Sequence, residues 1–523
     1  MVKWLKDAVF YEIYPQSFYD TNGDGVGDFQ GIIDKLDYVK SLGCNAIWMN
    51  PCFDSPFADA GYDVRDYKKT AARYGTNEDL YRLFDEVHKR EMHILLDLVA
   101  GHTSEQHEWF QKSRLDDKNE YAHRFIWTDG WFDMPDNLKG VAGMAPRDAM
   151  YVVNFFQTQP ALNYGFLHPN KPWQRSMDDP ECIATKEALW DVMDFWMNKG
   201  CDGFRVDMAD SLVKNDDEKK SGTCAIWTYL RRKMEEKYPE AVLVSEWNNP
   251  NMSLNAGFHM DFNLNWDGNG YNLLTRDSIN SSPIFAQNSS RSICEFLADY
   301  LPKYESTKYS GKYCLITGNH DTPRISYSLD VDELKMVYAF MFMMPGAPFI
   351  YYGDEIGMRY IKDLPSKEGG YTRTGTRTPM QWTEGANKGF SNASADKLYL
   401  PIDDSDGAPT VETQSGQEGS LLEFVRSMLK LRHETEDLKN DTNLHFVYSK
   451  SYARAFAFTR GDLLIVFNPD QATQKIDTQD MILTEKFSAD EFEKMYEYGE
   501  VNADENVVTL AKQSFAVFRK IEK

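Results

Sequence analysis

Three acidic residues close three separate apolar runs in this chain: Asp207 ends GFRVD, Glu246 ends AVLVSE, and Asp321 follows CLITGNH. Carboxyl groups in such a set can divide labour. One attacks as an anion and another delivers a proton, provided their surroundings keep them in different protonation states. Arg205 precedes Asp207 by two residues, so on an extended strand the two side chains share a face. A guanidinium beside a carboxylate favours its charged form, which marks Asp207 as the nucleophile. Proximity to anionic Asp207 and Asp321 would raise the proton affinity of Glu246 and leave it as the acid. His320 stands next to Asp321, while Asp97 and His102 close an earlier run, HILLDLVAGH.

These residues need a scaffold that brings distant strand ends together. Apolar, β-rich runs recur along the chain as VFYEIYP, NAIWMNP, HILLDLV, DGFRVD, VLVSEW, MDFNL, CLITGNHD and PFIYYGDE. Amphipathic stretches such as Phe29 to Leu42 and Asn77 to Arg90 alternate with them, which predicts an α/β fold with parallel strands. A closed eight-stranded (β/α)8 TIM barrel is the natural expectation, with its chemistry at the C-terminal strand ends. The long stretch after the third run, rich in Trp, Asn, Asp, Pro and Gly, predicts a small inserted domain over residues 103–171. A second excursion follows Gly357, and short alternating strands after residue 441 predict a C-terminal antiparallel β-sandwich over 442–523. The barrel then comprises residues 1–102 and 172–441.

Composition narrows the partners. With 57 Lys and Arg against 81 Asp and Glu, the net charge is −24, which repels phosphate backbones and anionic membrane surfaces. Seven cysteines without a CxxC motif argue against a disulfide framework. Charged residues break up the N-terminal MVKWLKDAVFYEIYP, and the apolar run Met336 to Met344 is too short to span a bilayer. The expectation is a cytoplasmic protein without nucleic-acid or membrane partners, a monomer or small homo-oligomer.

The motifs bring the chain close to a known family. It resembles the α-amylase superfamily, glycoside hydrolase family 13, in the branch of oligo-1,6-glucosidases, α-glucosidases and trehalose synthases. AVFYEIYPQSF, GYDVRDY at Gly61, DLVAGH, QPALNY at Gln159, GFRVD, SEW, GNHD, YYGDEIGM and RTPMQW occur in the family's order. The resemblance implies Asp207 as nucleophile, Glu246 as general acid/base and Asp321 as stabiliser of the transition state. It also implies that Tyr62, Asp63, His102, Arg205 and His320 line the subsite of the reacting sugar, with Arg324 clamping its hydroxyls. The histidines would donate hydrogen bonds to that sugar. Gly101 stands where calcium-dependent amylases carry an asparagine ligand, which speaks against a calcium between barrel and insert. Met208 after the nucleophile, and QPALN, match neither of the commonest subgroup patterns, so they leave α-1,4 or α-1,6 preference open.

The loop DTNGDGVGD offers oxygen ligands from Asp20, Asn22, Asp24 and Asp28, with a carbonyl from Val26. Gly31 stands where an EF-hand has its bidentate Glu, so this is a different calcium loop, structural in role, with Mg²⁺ the alternative occupant. The expected activity is hydrolysis of short α-linked gluco-oligosaccharides from the non-reducing end by a retaining α-glucosidase. The alternatives are a glucosyltransferase or isomerase of the trehalose or isomaltulose synthase type, an endo-acting amylase, and a non-catalytic scaffold.

Overall fold

The computed structural model describes residues 2–115, 118–133, 137–264, 270–276, 282–483, 491–504 and 506–521. Eight parallel strands form one sheet: β1 Phe10–Ile13, β2 Ala46–Met49, β3 His93–Val99, β4 Gly203–Asp207, β5 Val242–Ser245, β6 Met260–Phe262, β7 Lys312–Cys314 and β8 Phe349–Tyr351. Seven of the eight apolar runs supply one each, whereas β7 lies ahead of CLITGNHD and shares only Cys314 with it. Neighbours pair in register, β1 with β2 and β8, then β3, β4, β5, β6 and β7 in turn. The ring is completed by a parallel bridge between Ile316 and Phe349, just beyond the end of β7. The fold is therefore a (β/α)8 barrel.

The strands are near-continuous in Val, Ile, Leu and aromatics because both faces are covered, the outer by helices and the inner by one another. Inside, Phe10 stacks on Phe349 at 4.2 Å between ring centroids, and Phe262 meets Phe349 at 4.8 Å and Trp48 at 5.4 Å. This plug fills the lower barrel. The polar side chains Glu12, Asp97, Arg205 and Asp207 lie above it, toward the strands' C-terminal ends. The helix after β1, Phe29–Ser41, starts where the Asp28 carboxylate accepts from Gly31 N–H, and the helix Asn77–Lys89 starts with a capping box between Thr76 and Asp79.

Between β3 and β4 the chain forms a small irregular unit with a hairpin, Lys139–Ala142 against Met150–Val153. Past β8 it runs through short 3₁₀ turns before the helix Leu421–Glu434 packs back on the barrel. The C-terminal region has two antiparallel sheets. One holds β9 Leu444–Tyr448, β10 Phe456–Arg460, β11 Leu463–Asn468, β13 Phe492–Tyr498 and β16 Ser514–Lys520. The other holds β12 Gln474–Asp477, β14 Val501–Ala503 and β15 Val507–Leu510. Alternation decides what each face covers: Leu464, Val466, Ala516 and Phe518 pack between the sheets, while Phe456, Phe458 and Phe467 reach Phe340 of a barrel helix. β12 and β13 are charged, half-exposed strands and β14 is only three residues long, so their apolar spacing is too sparse to read from sequence. No helix among the described residues is long and apolar enough to cross a membrane.

Candidate active site

Arg205 is the hub of the barrel mouth. Its Nη1 lies 2.9 Å from Asp97 Oδ1 and 3.2 Å from Asp207 Oδ1, and its Nη2 lies 2.7 Å from Glu246 Oε2. Asp207 ends β4 and Glu246 follows β5, so the pairing of these two strands sets the two acids side by side. Immediately after Asp207 the backbone turns through Met208 at φ 43°, a left-handed conformation unfavourable for a long side chain. The turn aims Met208 N–H at Glu246 Oε2, 3.1 Å away. Burial, together with their mutual repulsion in Asp207's case and nearby Asp321 in that of Glu246, pushes both carboxyls above the usual range, and Arg205 opposes the shift. Two buried carboxyls facing one guanidinium titrate together, so ionisation of either raises the proton affinity of the other. Without a substrate, Glu246 takes the shorter bond to Arg205 and a backbone N–H, an arrangement that favours its anion. The division of roles anticipated from spacing therefore has to be set by what enters the site.

Asp321 behaves differently. Burial acts to raise its carboxyl, but the facing imidazole of His320 and, as fixed charges, the guanidinium groups of Arg373 and Arg377 outweigh that and hold it well below the usual range. Arg373 Nη1 is 2.8 Å and Arg377 Nη2 2.9 Å from Asp321 Oδ1, with His320 Nε2 at 3.4 Å from Oδ2. It is a permanent anion. Tyr62 Oη connects the two halves, 3.0 Å from Asp97 Oδ2 and 2.7 Å from His320 Nε2.

A cavity of about 180 Å³ is lined by Asp59, Tyr62, His102, Phe155, Asp207, Met208, Glu246, Asp321 and Arg373. That is below the ~300–1,000 Å³ of sites for drug-sized ligands and suits one sugar ring. The inserted unit supplies Phe155, the excursion after β8 supplies Arg373, and Phe156 and Tyr371 meet across the mouth at 6.1 Å. His102 Nε2 is 3.1 Å from the Tyr62 carbonyl, which can only accept, so the proton sits on Nε2. Burial holds this imidazole down at about 4, so it is neutral and its buried Nδ1, without a partner, offers a lone pair. The structure thus gives His102 an accepting role where a donor was anticipated.

Two anticipated sugar contacts lie elsewhere. Asp63 is fully buried and its carboxylate ties down its own loop, accepting from Ser55 Oγ at 2.9 Å and from Ala58 and Asp59 N–H. Arg324 is buried and does not line the cavity; it lies 2.9 Å from Asp354 Oδ1 and is bonded to the Tyr352 carbonyl. His320 is also fully buried and touches the site through Asp321 and Tyr62. Asp59 and Arg373 occupy the wall instead, 3.7 Å apart, with Gln159 holding Asp59 at 2.8 Å. Neither had a sequence signal of its own. Asp59 is four residues from Asp63 in the same loop, and Arg373 lies just ahead of RTPMQW.

At the junction of barrel and insert, Lys214 Nζ sits 2.8 Å from Asn154 Oδ1 and 2.6 Å from the Ser211 carbonyl, while Asn154 Nδ2 binds the Gly101 carbonyl. A cation is already built in there. Burial brings this ammonium down to about 8, and a Cβ at Gly101 would lie 2.6 Å from Asn154 Nδ2.

The loop from Asp20 to Asp28 is closed by its own side chains: Asp20 accepts from the N–H groups of Asn22, Gly23 and Gly25, and Asp24 from that of Val26. Asp20 and Asp28 are 3 % and 5 % exposed, and neither pairs with a Lys, Arg or His among the described residues. Buried carboxylates that are hydrogen-bonded but face no cationic side chain suit a bound cation. Among the described residues no three acidic, His or Cys side chains converge. A cation would therefore rest on a mixed set that includes the Asn22 amide and the Val26 carbonyl.

Carboxyl groups at the C-terminal ends of β/α-barrel strands, around a pocket of one ring's size, define an enzyme that acts on glycosidic bonds. Comparison with known proteins identifies the family: the model for the α-amylase catalytic domain matches residues 12–441. The chain belongs to the α-amylase family, glycoside hydrolase family 13. It is 33% identical over 472 residues to a trehalose synthase/amylase of Mycolicibacterium smegmatis, covering 82% of this chain and 76% of the relative. It is 30% identical over 502 residues to a probable oligo-1,6-glucosidase of Bacillus subtilis, covering 84% and 85%. Among solved structures, trehalulose synthase from Pseudomonas mesoacidophila aligns with a TM-score of 0.79 at 24% identity, over 99% of this chain and 100% of that one, which establishes the shared fold.

Proposed function

We propose that this protein is a retaining α-glucosidase that releases glucose from the non-reducing ends of short α-1,4- and/or α-1,6-linked gluco-oligosaccharides. The observation that carries the reading is the small cavity in which Asp207, Glu246 and Asp321 meet, walled by Asp59 and Arg373. A wall beyond the reacting ring admits a chain end and excludes a chain middle. Asp207 attacks the anomeric carbon as the glycosidic bond breaks, and the leaving oxygen takes the proton from Glu246. Glu246, now anionic, takes a proton from water, which attacks the glucosyl-enzyme and restores the α configuration. Asp321, kept anionic by Arg373 and Arg377, binds sugar hydroxyls and faces the positive charge that develops on the ring. Arg205 stabilises whichever carboxylate is charged at each stage.

A second reading is favoured by the relatives named trehalose synthase: the released sugar stays in the site and attacks the intermediate through another hydroxyl. Product analysis on maltose, isomaltose, trehalose, sucrose, panose and pullulan separates the two. Glucose alone supports hydrolysis; conversion of maltose to trehalose supports isomerisation. Proton NMR of a fresh digest tests the mechanism itself, since an initial β-anomer would sink double displacement, and an early ladder of products from a long dextrin would sink the pocket.

We also infer that the Asp20–Asp28 loop holds Ca²⁺, with Mg²⁺ the alternative. The ion would serve stability, because the loop enters the helix Phe29–Ser41 and supplies no side chain to the cavity wall.

A further inference from the structure

Glu12, on β1, is fully buried inside the barrel and does not line the cavity. Its Oε1 lies 2.9 Å from His320 Nδ1, and the Asn50 side-chain nitrogen lies 3.0 Å from the same Nδ1. Its other oxygen, Oε2, is buried without a hydrogen-bond partner.

With His320 neutral and the Asn50 amide nitrogen facing Nδ1, a proton count assigns the donors. Tyr62 has one hydroxyl proton and two neighbours, Asp97 Oδ2 at 3.0 Å and His320 Nε2 at 2.7 Å. Suppose it went to His320. Nε2 would then carry a lone pair facing the anion of Asp321 at 3.4 Å, and Nδ1–H would point at the Asn50 amide donor. Both contacts would be repulsive. If Tyr62 donates to Asp97 instead, Nε2–H serves Tyr62 and Asp321, and Nδ1 is an acceptor for Asn50. An acceptor 2.9 Å from a carboxyl oxygen requires the proton on the carboxyl. An unpartnered Oε2 points the same way, since leaving half of a buried carboxylate unsolvated costs more than leaving half of a neutral acid so.

We propose that Glu12 is a neutral, proton-donating carboxylic acid that fixes His320 in its Nε2–H tautomer, and so serves as a positioning residue for the Asp321 side of the site. The charged groups around it are consistent with that state. Arg205 is the cation that faces it, already shared among Asp97, Asp207 and Glu246, while Asp97 and Asp321 oppose its ionisation and Tyr351 adjoins it from β8. Burial raises its carboxyl well above the usual range against the opposing Arg205 guanidinium and Asn50 amide, with Asp97 and Asp321 adding to the rise, and burial lowers His320. The positioning role rests on the reading of Asp321 as part of the substrate site; the tautomer does not.

Two substitutions and one spectrum test it. Glu12→Gln keeps a donor toward Nδ1 and should retain kcat/KM within about threefold, whereas Glu12→Leu keeps the neutrality without the donor and should lose roughly tenfold or more, the worth of one buried hydrogen bond. The ¹⁵N NMR spectrum of histidine-labelled, unliganded protein at neutral pH, with His320 assigned by its loss in His320→Gln, should show a proton on Nε2 alone in the wild type and in Glu12→Gln. A doubly protonated or Nδ1-protonated His320 overturns the proposal, as does a Glu12→Gln variant as impaired as Glu12→Leu. Full activity in Glu12→Leu overturns the positioning role. Should Glu12→Leu fail to fold, the wild-type spectrum and Glu12→Gln still decide. Because the spectrum needs no substrate, a failure of the glucosidase reading leaves it interpretable.

Discussion

Replacing Arg373 by Met removes one of the two guanidinium groups on Asp321 and the cation beside Asp59. The side chain is 23% exposed and comes from the excursion after β8, so the barrel itself should fold unchanged. Its bond to Asp321 is 2.8 Å long, and a hydrogen bond between charged groups contributes about 1.5–3 kcal/mol. Partial exposure places the value in the lower half of that range. With ~1.4 kcal/mol per factor of ten, kcat/KM should fall roughly 10- to 30-fold. Arg377 remains at 2.9 Å, so Asp321 stays anionic. Asp59 should respond differently. Burial raises it to about 6 against the opposing pull of Gln159 and Arg373, and loss of Arg373 should raise it further. A carboxyl is protonated below its pKa, so the acid-side rise of KM should begin at a higher pH in the variant than in the wild type. The assay is kcat and KM on a chromogenic α-glucoside across the range in which Asp59 titrates. A change in kcat/KM below about twofold, ~0.4 kcal/mol, with an unmoved KM profile would refute the assignment of Arg373 to the site.

Asp207→Asn and Glu246→Gln should each lower kcat by several orders of magnitude with folding intact; retention of more than about a tenth, ~1.4 kcal/mol of barrier, counts against the roles assigned to them. Chelation should lower the thermal midpoint and added Ca²⁺ restore it, because an ion that binds only the native state stabilises in proportion to its excess. An unchanged midpoint removes the ion from the Asp20–Asp28 loop. Glu355 is fully buried, accepts from Tyr11 and Tyr38 hydroxyls, and is raised by burial to about 7. A folded pKa above the unfolded ~4.3 gives stability that is complete below pH ~4.3 and is lost as pH rises toward 7, on the order of 3 kcal/mol. The wild-type melting temperature should therefore fall relative to Glu355→Gln across that window, and parallel curves would exclude the neutral acid.

Several features were written locally. A strand of a parallel barrel is buried on both faces, so each appears as an apolar run, and turn chemistry and caps mark where helices start. Arg205 and Asp207 share a face because of a two-residue spacing that needs no tertiary information. Much of the Asp20–Asp28 loop is likewise local, closed by side chains bonding to backbone a few residues away, though Ser391 also bonds to Asp20.

Which neighbours those residues acquire was decided only by the closed barrel and the segments folded over it. Asp59 and Asp63 sit in one loop and are both acidic, yet the loop turns Asp63 onto its own N–H groups and Asp59 to the cavity. Arg324 and Arg373 each lie in a segment beyond β7, yet chain direction ties one to Asp354 away from the cavity lining and brings the other into its wall. Proton placement is the deepest of these tertiary effects. Asp207, Glu246, Glu12 and Asp321 are alike as residues; how many buried carboxyls must share Arg205, and which one receives two further guanidinium groups, separates an anion from an acid. Such sums run over residues hundreds of positions apart, and no local pattern carries them.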